Sequence, residues 1–156
     1  MEKEALTKAM KSSISEVLEK MFYLPLDFPE SKNEKEIPNL KTDKTIISRI
    51  KFSGPFSGYL LLYIPRELAE SLTISFMGID EDNISQDYVT STVKEIINMI
   101  TGNAFRNFDD QAVFDLGIPE LINFDDMIRE NSKSEEEIFI SINTMESRMA
   151  LQAIIY

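Results

Sequence analysis

SQDYVTSTVKEIINMITGNAFRN, residues 85–107, is the longest stretch of this chain with an unbroken helical period. At about 100° per residue, Val89, Val93, Ile96, Ile97, Ile100 and Ala104 fall on one side, an apolar stripe broad enough to seat a helix on a core. Opposite them lie Ser91, Glu95, Asn98 and Gly102, spaced i, i+4, i+7 and i+11, so they form one nearly straight row facing away from that core. An ionised Glu95 only accepts hydrogen bonds and grips a cation. Asn98 carries two N–H donors and a carbonyl, enough to hold a water molecule in a chosen direction. Gly102 leaves room for another chain to approach, and in a helix it costs about 1 kcal/mol relative to alanine. On spacing alone, a carboxylate and an amide on the outer face of an amphipathic helix read most plainly as solvated surface.

Outward from this helix the elements follow in order. Residues 3–23 predict a first helix with Leu6, Met10, Ile14, Val17, Leu18 and Met21 along its packed face, ended by Pro25 and Pro29. Residues 29–44, PESKNEKEIPNLKTDK, are charged, proline-interrupted and without period; they read as a mobile surface connection to which no function is assigned. Residues 45–52 and 59–64, rich in β-branched and aromatic types around SGPFSG, predict an antiparallel hairpin. Pro65 suits the first turn of a helix that runs to about Phe76 and closes at Gly78. Acidic IDEDN then leads into the central helix, whose dipole favours negative charge at that end. Residues 112–122, around Pro119, read as strand, and 138–144 with 148–155 as a second hairpin.

The two long helices also echo one another. SEVLEKMF (15–22) aligns without gaps with KEIINMIT (94–101), pairing Glu16 with Glu95 and Glu19 with Asn98, and a hairpin follows each helix. Helix then hairpin, twice, predicts an α+β fold: an antiparallel β-sheet covered by two long helices, with an internal pseudo-repeat.

Composition sets the outer limits. The 156 residues suit one domain spanning 1–156. Sixteen Lys and Arg against 27 Asp and Glu leave a net charge of −11, which repels nucleic acid and anionic lipid. No signal-peptide pattern and no apolar run of about eighteen residues is present, so a soluble cytoplasmic protein is expected. With no cysteine and no histidine, the Ser-His-Asp, Cys-His and zinc-hydrolase mechanisms are excluded. Carboxylate pairs at Asp109 with Asp110 and Asp125 with Asp126 offer oxygen ligands for magnesium or calcium, but adjacent residues rarely converge on one ion, and no metal site is assigned.

KEIINMITG, with Ser91 four residues before Glu95 and Pro119 following in LGIPELI, resembles the signature helix of the CheC/CheX/FliY family of chemotaxis response-regulator phosphatases. The pattern there is Ser or Asp, three residues, Glu, two residues, Asn, then a later Pro; here the gap to Pro119 is slightly shorter, which bears on the strand register after the helix. The resemblance, to the CheX-like branch in particular, implies a CheX/CheC-like fold and an enzyme that hydrolyses the aspartyl phosphate of a CheY-type receiver domain. It implies Glu95 pairing with the receiver's active-site lysine and Asn98 orienting the attacking water. Ser91, Met99 and Gly102 become partner contacts, and Phe105 is a further apolar candidate. No cofactor is expected on this chain; Mg2+ is expected on the phosphorylated receiver. Because Glu19 replaces the Asn in the first helix, one working site per chain follows. CheX-like proteins often dimerise, and the terminal hairpin offers an edge for a homodimer. The alternative of the same fold is a non-catalytic receiver-binding adaptor or flagellar-switch component.

Overall fold

The computed structural model describes residues 2–30, 43–125, 136–145 and 147–156. Of the charged connection at 29–44, residues 31–42 lie outside them, as does Asp126. In chain order the elements are helix α1 (Lys3–Ser15), a π-helical segment (Glu16–Met21), strands β1 (Leu26–Asp27), β2 (Thr45–Ser53) and β3 (Gly58–Pro65), and helix α2 (Arg66–Met77). A short 3-10 turn (Glu81–Asn83) then leads to helix α3 (Gln86–Phe108), followed by strands β4 (Asp115–Leu116), β5 (Glu120–Ile122), β6 (Glu136–Thr144) and β7 (Arg148–Ile155).

The strands form one sheet in the order β1-β6-β7-β3-β2-β4, with β5 also on β2, and every pairing is antiparallel. Period-2 alternation sends Ile46, Ile50, Leu60, Leu62, Ile138, Ile140, Leu151 and Ala153 to one face. There they meet Leu6, Met10, Ile14, Val17 and Leu18 of the first helix and the stripe Val89, Val93, Ile96, Ile97, Ile100 and Ala104 of α3. The predicted α+β architecture is thus present, with the shorter α2 packing beside α3 as a third helix. A smaller apolar cluster, Ile47, Tyr59, Leu61, Tyr63, Ala150 and Ile154, occupies the opposite face.

Three expectations change. The first helix does not keep its period to residue 23. From Glu16 it widens into a π turn, which advances each residue by less than the α-helical angle, so Met21 swings out to 48 % exposure and Phe22 takes the core position. It ends at Tyr23, in the left-handed region at φ 54°, with the Leu24 N–H donating to the Leu18 carbonyl at 2.9 Å. The terminal hairpin is not an exposed edge, because β7 lies between β6 and β3. Only the outer side of β6 is at an edge, and there β1 covers just Asn143 and Thr144 among the described residues. Finally, residues 112–122 make two short strands instead of one. Glu120–Ile122 and Asp115–Leu116 both pair with β2, but Gly117, Ile118 and Pro119 stand opposite only Ile50 and Lys51. That is a one-residue bulge, and it accommodates Pro119 where a regular ladder would need its missing N–H.

Candidate functional site

Helix α3 is capped and buttressed at both ends. Ser85 accepts the Tyr88 N–H at 3.2 Å as N-cap, Asp87 stands in the first turn and Arg106 in the last, matching the dipole at each end. On its buried side, Ser13 of α1 donates to the Ile100 carbonyl at 2.6 Å, joining the two long helices at their crossing. Thr101 returns its hydroxyl to the Ile97 carbonyl at 2.6 Å. The C-terminal end is held by aromatic rings: Phe105 stacks on Phe114 at 4.2 Å and meets Phe52 at 4.6 Å, while Phe56 from the β2–β3 turn touches Phe105, Phe108 and Phe114.

On this rigid rod the predicted row is realised as read. Ser91, Glu95 and Asn98 are exposed on the side away from the sheet, and Gly102 is half-buried one turn beyond Asn98. From Ser91 to Gly102 the row runs about 16 Å along the helix axis. No ion pair or hydrogen bond among the described residues engages Glu95 or Asn98, so both side chains keep their full capacity for a partner. The counterpart in α1 differs: Glu16 is tied to Lys20 at 3.0 Å, and Glu19, where α3 has Asn98, has no N–H to donate.

The flanking residues divide. Met99 is half-buried against the core. Phe105, read from the sequence as a partner contact, is a core residue at 4 % exposure, because Phe114 and Phe52 close over it. A Cβ at Gly102 would meet nothing within 4 Å, so packing within the chain does not require this glycine. It opens instead onto a cleft of about 210 Å³ shared with Arg106, Asp110, Ala112 and Leu116. Nothing in the sequence pattern signals that cleft, since it depends on the bulge after α3. Asp109 is engaged locally, its Oδ1 accepting the Gln111 and Ala112 N–H groups. Among the described residues no three acidic side chains gather as a metal site, and no helix is long and apolar enough to cross a membrane.

An acid and an amide on the convex side of a helix cannot enclose a small molecule; they can enter a cavity that a partner brings. Fold and row together define an α+β protein with a solvent-facing acid–amide helix laid over an antiparallel sheet. The chain belongs to the CheX family: the family profile described as chemotaxis phosphatase CheX matches residues 46–143, more than half of the chain and including the whole of α3. Solved structures agree in fold. The chemotaxis protein CheX from Vibrio vulnificus superposes with a TM-score of 0.73 at 19 % identity, covering 97 % of this chain and 96 % of that one. A CheX from Desulfovibrio desulfuricans gives 0.70 at 15 %, covering 97 % and 99 %. The CheX–CheY–BeF3–Mg2+ complex from Borrelia burgdorferi gives 0.68 at 19 %, covering 95 % and 96 %. No protein of curated function matches the sequence.

Proposed function

We propose that this chain accelerates hydrolysis of the aspartyl phosphate of a CheY-type receiver domain, with Asn98 and Glu95 as the residues that enter the receiver's site. The observation that carries the reading is the row itself: an exposed acid and amide, unengaged by the described residues, on one face of a helix whose buried face is locked in the core. Membership in the chemotaxis phosphatase family and the likeness in fold to a CheX bound to CheY support it.

In this reading Glu95 pairs with the receiver's lysine and sets the register. The Asn98 amide accepts from and donates to one water molecule, aiming its oxygen at phosphorus in line with the aspartyl oxygen. The new P–O bond forms as the acyl P–O bond breaks, giving inorganic phosphate and a free aspartate carboxylate. Alignment is the main requirement of such a transfer, so a chain without histidine can supply it. Mg2+ belongs to the receiver and would neutralise charge on the phosphoryl group. Ser91, Met99 and Gly102 line the contact. The reaction is cytoplasmic, and the outer side of β6, which β1 covers only at Asn143 and Thr144 among the described residues, favours a homodimer.

The test is the decay of a phosphorylated CheY-type receiver in magnesium with and without the chain. Acceleration supports the proposal. Binding to the receiver without acceleration would make the chain an adaptor, and preference for the resting receiver over its beryllofluoride-activated state would contradict a phosphatase role.

A further inference from the structure

The loop after α3 holds apolar side chains in water on a backbone that cannot retreat. Ile118, in the bulge, is 89 % exposed, Val113 is 76 % exposed, and Leu116 is exposed between them. Four contacts fix their backbone. Phe114 is stacked into the aromatic cluster on Phe105, and Asp109 accepts the Gln111 and Ala112 N–H groups. The Gly117 N–H donates to the Lys51 carbonyl at 2.8 Å. Gly54 is the fourth: a Cβ there would come within 2.7 Å of the Val113 carbonyl, so the β2–β3 turn and this loop touch backbone to backbone. One exposed apolar side chain is ordinary, whereas three fixed in a short loop mark a contact surface. Bulges recur beside functional sites because they re-aim a side chain, here Ile118.

This surface is continuous with the acid–amide row. Gly102 is both the last member of the row and a wall of the cleft whose far side is Ala112 and Leu116. The row alone spans too little area to hold a protein partner, since stable interfaces cover about 800 Å² on each side. Beyond the Glu95–lysine pair charge does not help: the chain carries −11, and a partner presenting an acyl phosphate is itself anionic there. Affinity then has to come from apolar contact, and past Gly102 this loop supplies it.

Resting on the phosphatase reading, we infer that Val113, Leu116 and Ile118 form the second half of the receiver-docking surface, seating on apolar surface beside the receiver's phosphorylation pocket and setting which receiver is accepted. They are positioning residues and touch no reacting atom.

The test measures two quantities for wild type, Ile118→Asp and Val113→Asp: binding to a beryllofluoride-activated CheY-type receiver, and the rate of phosphate loss against receiver concentration. The variants should weaken binding and raise the half-saturating receiver concentration by about tenfold, with a change of less than about twofold in the saturated rate. Thermal melts check the fold; should either variant melt early, Ile118→Ser replaces it. Unchanged binding and half-saturation in the variants would overturn the docking surface while leaving the phosphatase intact. If wild type binds but does not hydrolyse, the catalytic reading falls alone, and the binding loss still decides the loop. If wild type neither binds nor hydrolyses, both fall.

Discussion

Replacing Gly102 by alanine separates what helix α3 needs from what its outer face is for. The residue lies well inside the 23-residue helix, and its added methyl would meet no atom within 4 Å beyond the adjoining backbone of its own helix. Alanine therefore brings no steric cost within the chain and recovers about 1 kcal/mol of helix stability. For a protein of this length that is an upward shift of about 2–4 °C in the melting temperature. On the partner's side the same methyl stands where the row opens into the cleft, keeping the receiver off the helix backbone. Turnover of a phosphorylated receiver should fall in kcat/KM by about tenfold, or about 1.4 kcal/mol of transition-state stabilisation. Calorimetry and receiver dephosphorylation on the same preparation read both effects. A variant that is more stable and equally active would refute the claim that Gly102 is kept for close approach. A variant less stable than wild type would refute the reading of this helix segment as unconstrained by the core.

Two further predictions concern the framework. Phe114→Ala should lower stability by about 2 kcal/mol in urea unfolding, less than for a fully buried ring because Phe114 is only half-buried, whereas Phe114→Leu should cost under half as much; equal losses would argue against the stacking. Tyr63 donates to Gln152 Oε1 at 2.7 Å on the opposite face of the sheet, and burial first, then the charges of Glu137 and Tyr59, hold its phenol above its ordinary value of 10.0. Since the folded phenol binds its proton more tightly than the unfolded one, its contribution is intact below about pH 10 and is lost as pH rises beyond that. Denaturant midpoints should drop as pH rises above about 10 in wild type and drop less steeply there in Tyr63→Phe; parallel curves would contradict this.

Much of the fold was legible because periodicity reports burial directly. Every apolar position assigned to α3's inner stripe is buried, and Ser91, Glu95 and Asn98 are exposed as the wheel placed them. Both hairpins and the Pro65–Gly78 helix were equally plain, although Pro65 stands at the N-cap position itself. What could not be read are features decided by contacts distant in sequence. Met21 turns outward because the helix widens into a π turn, which has no compositional marker. Phe105 flanks the row on the wheel yet is buried, because Phe52 and Phe114 close over it from elsewhere in the chain. The bulge at Gly117–Pro119 exists only against β2, so the cleft beside Gly102 and the exposure of Ile118 had no local signal beyond a proline in a strand-like run. The placement of β7 inside the sheet likewise follows from its pairing with β3, not from its own alternation.

The central claim is that an exposed amide on α3 aims the attacking water. It is tested most directly by the single-turnover rate of phosphate loss from a phosphorylated CheY-type receiver held saturated with wild-type chain or with Asn98→Ala. The account predicts that Asn98→Ala still binds the activated receiver and melts like wild type, since its side chain is exposed and makes no hydrogen bond to the described residues, while the rate falls to that of the receiver alone. An Asn98→Ala chain that binds and hydrolyses as fast as wild type would contradict it.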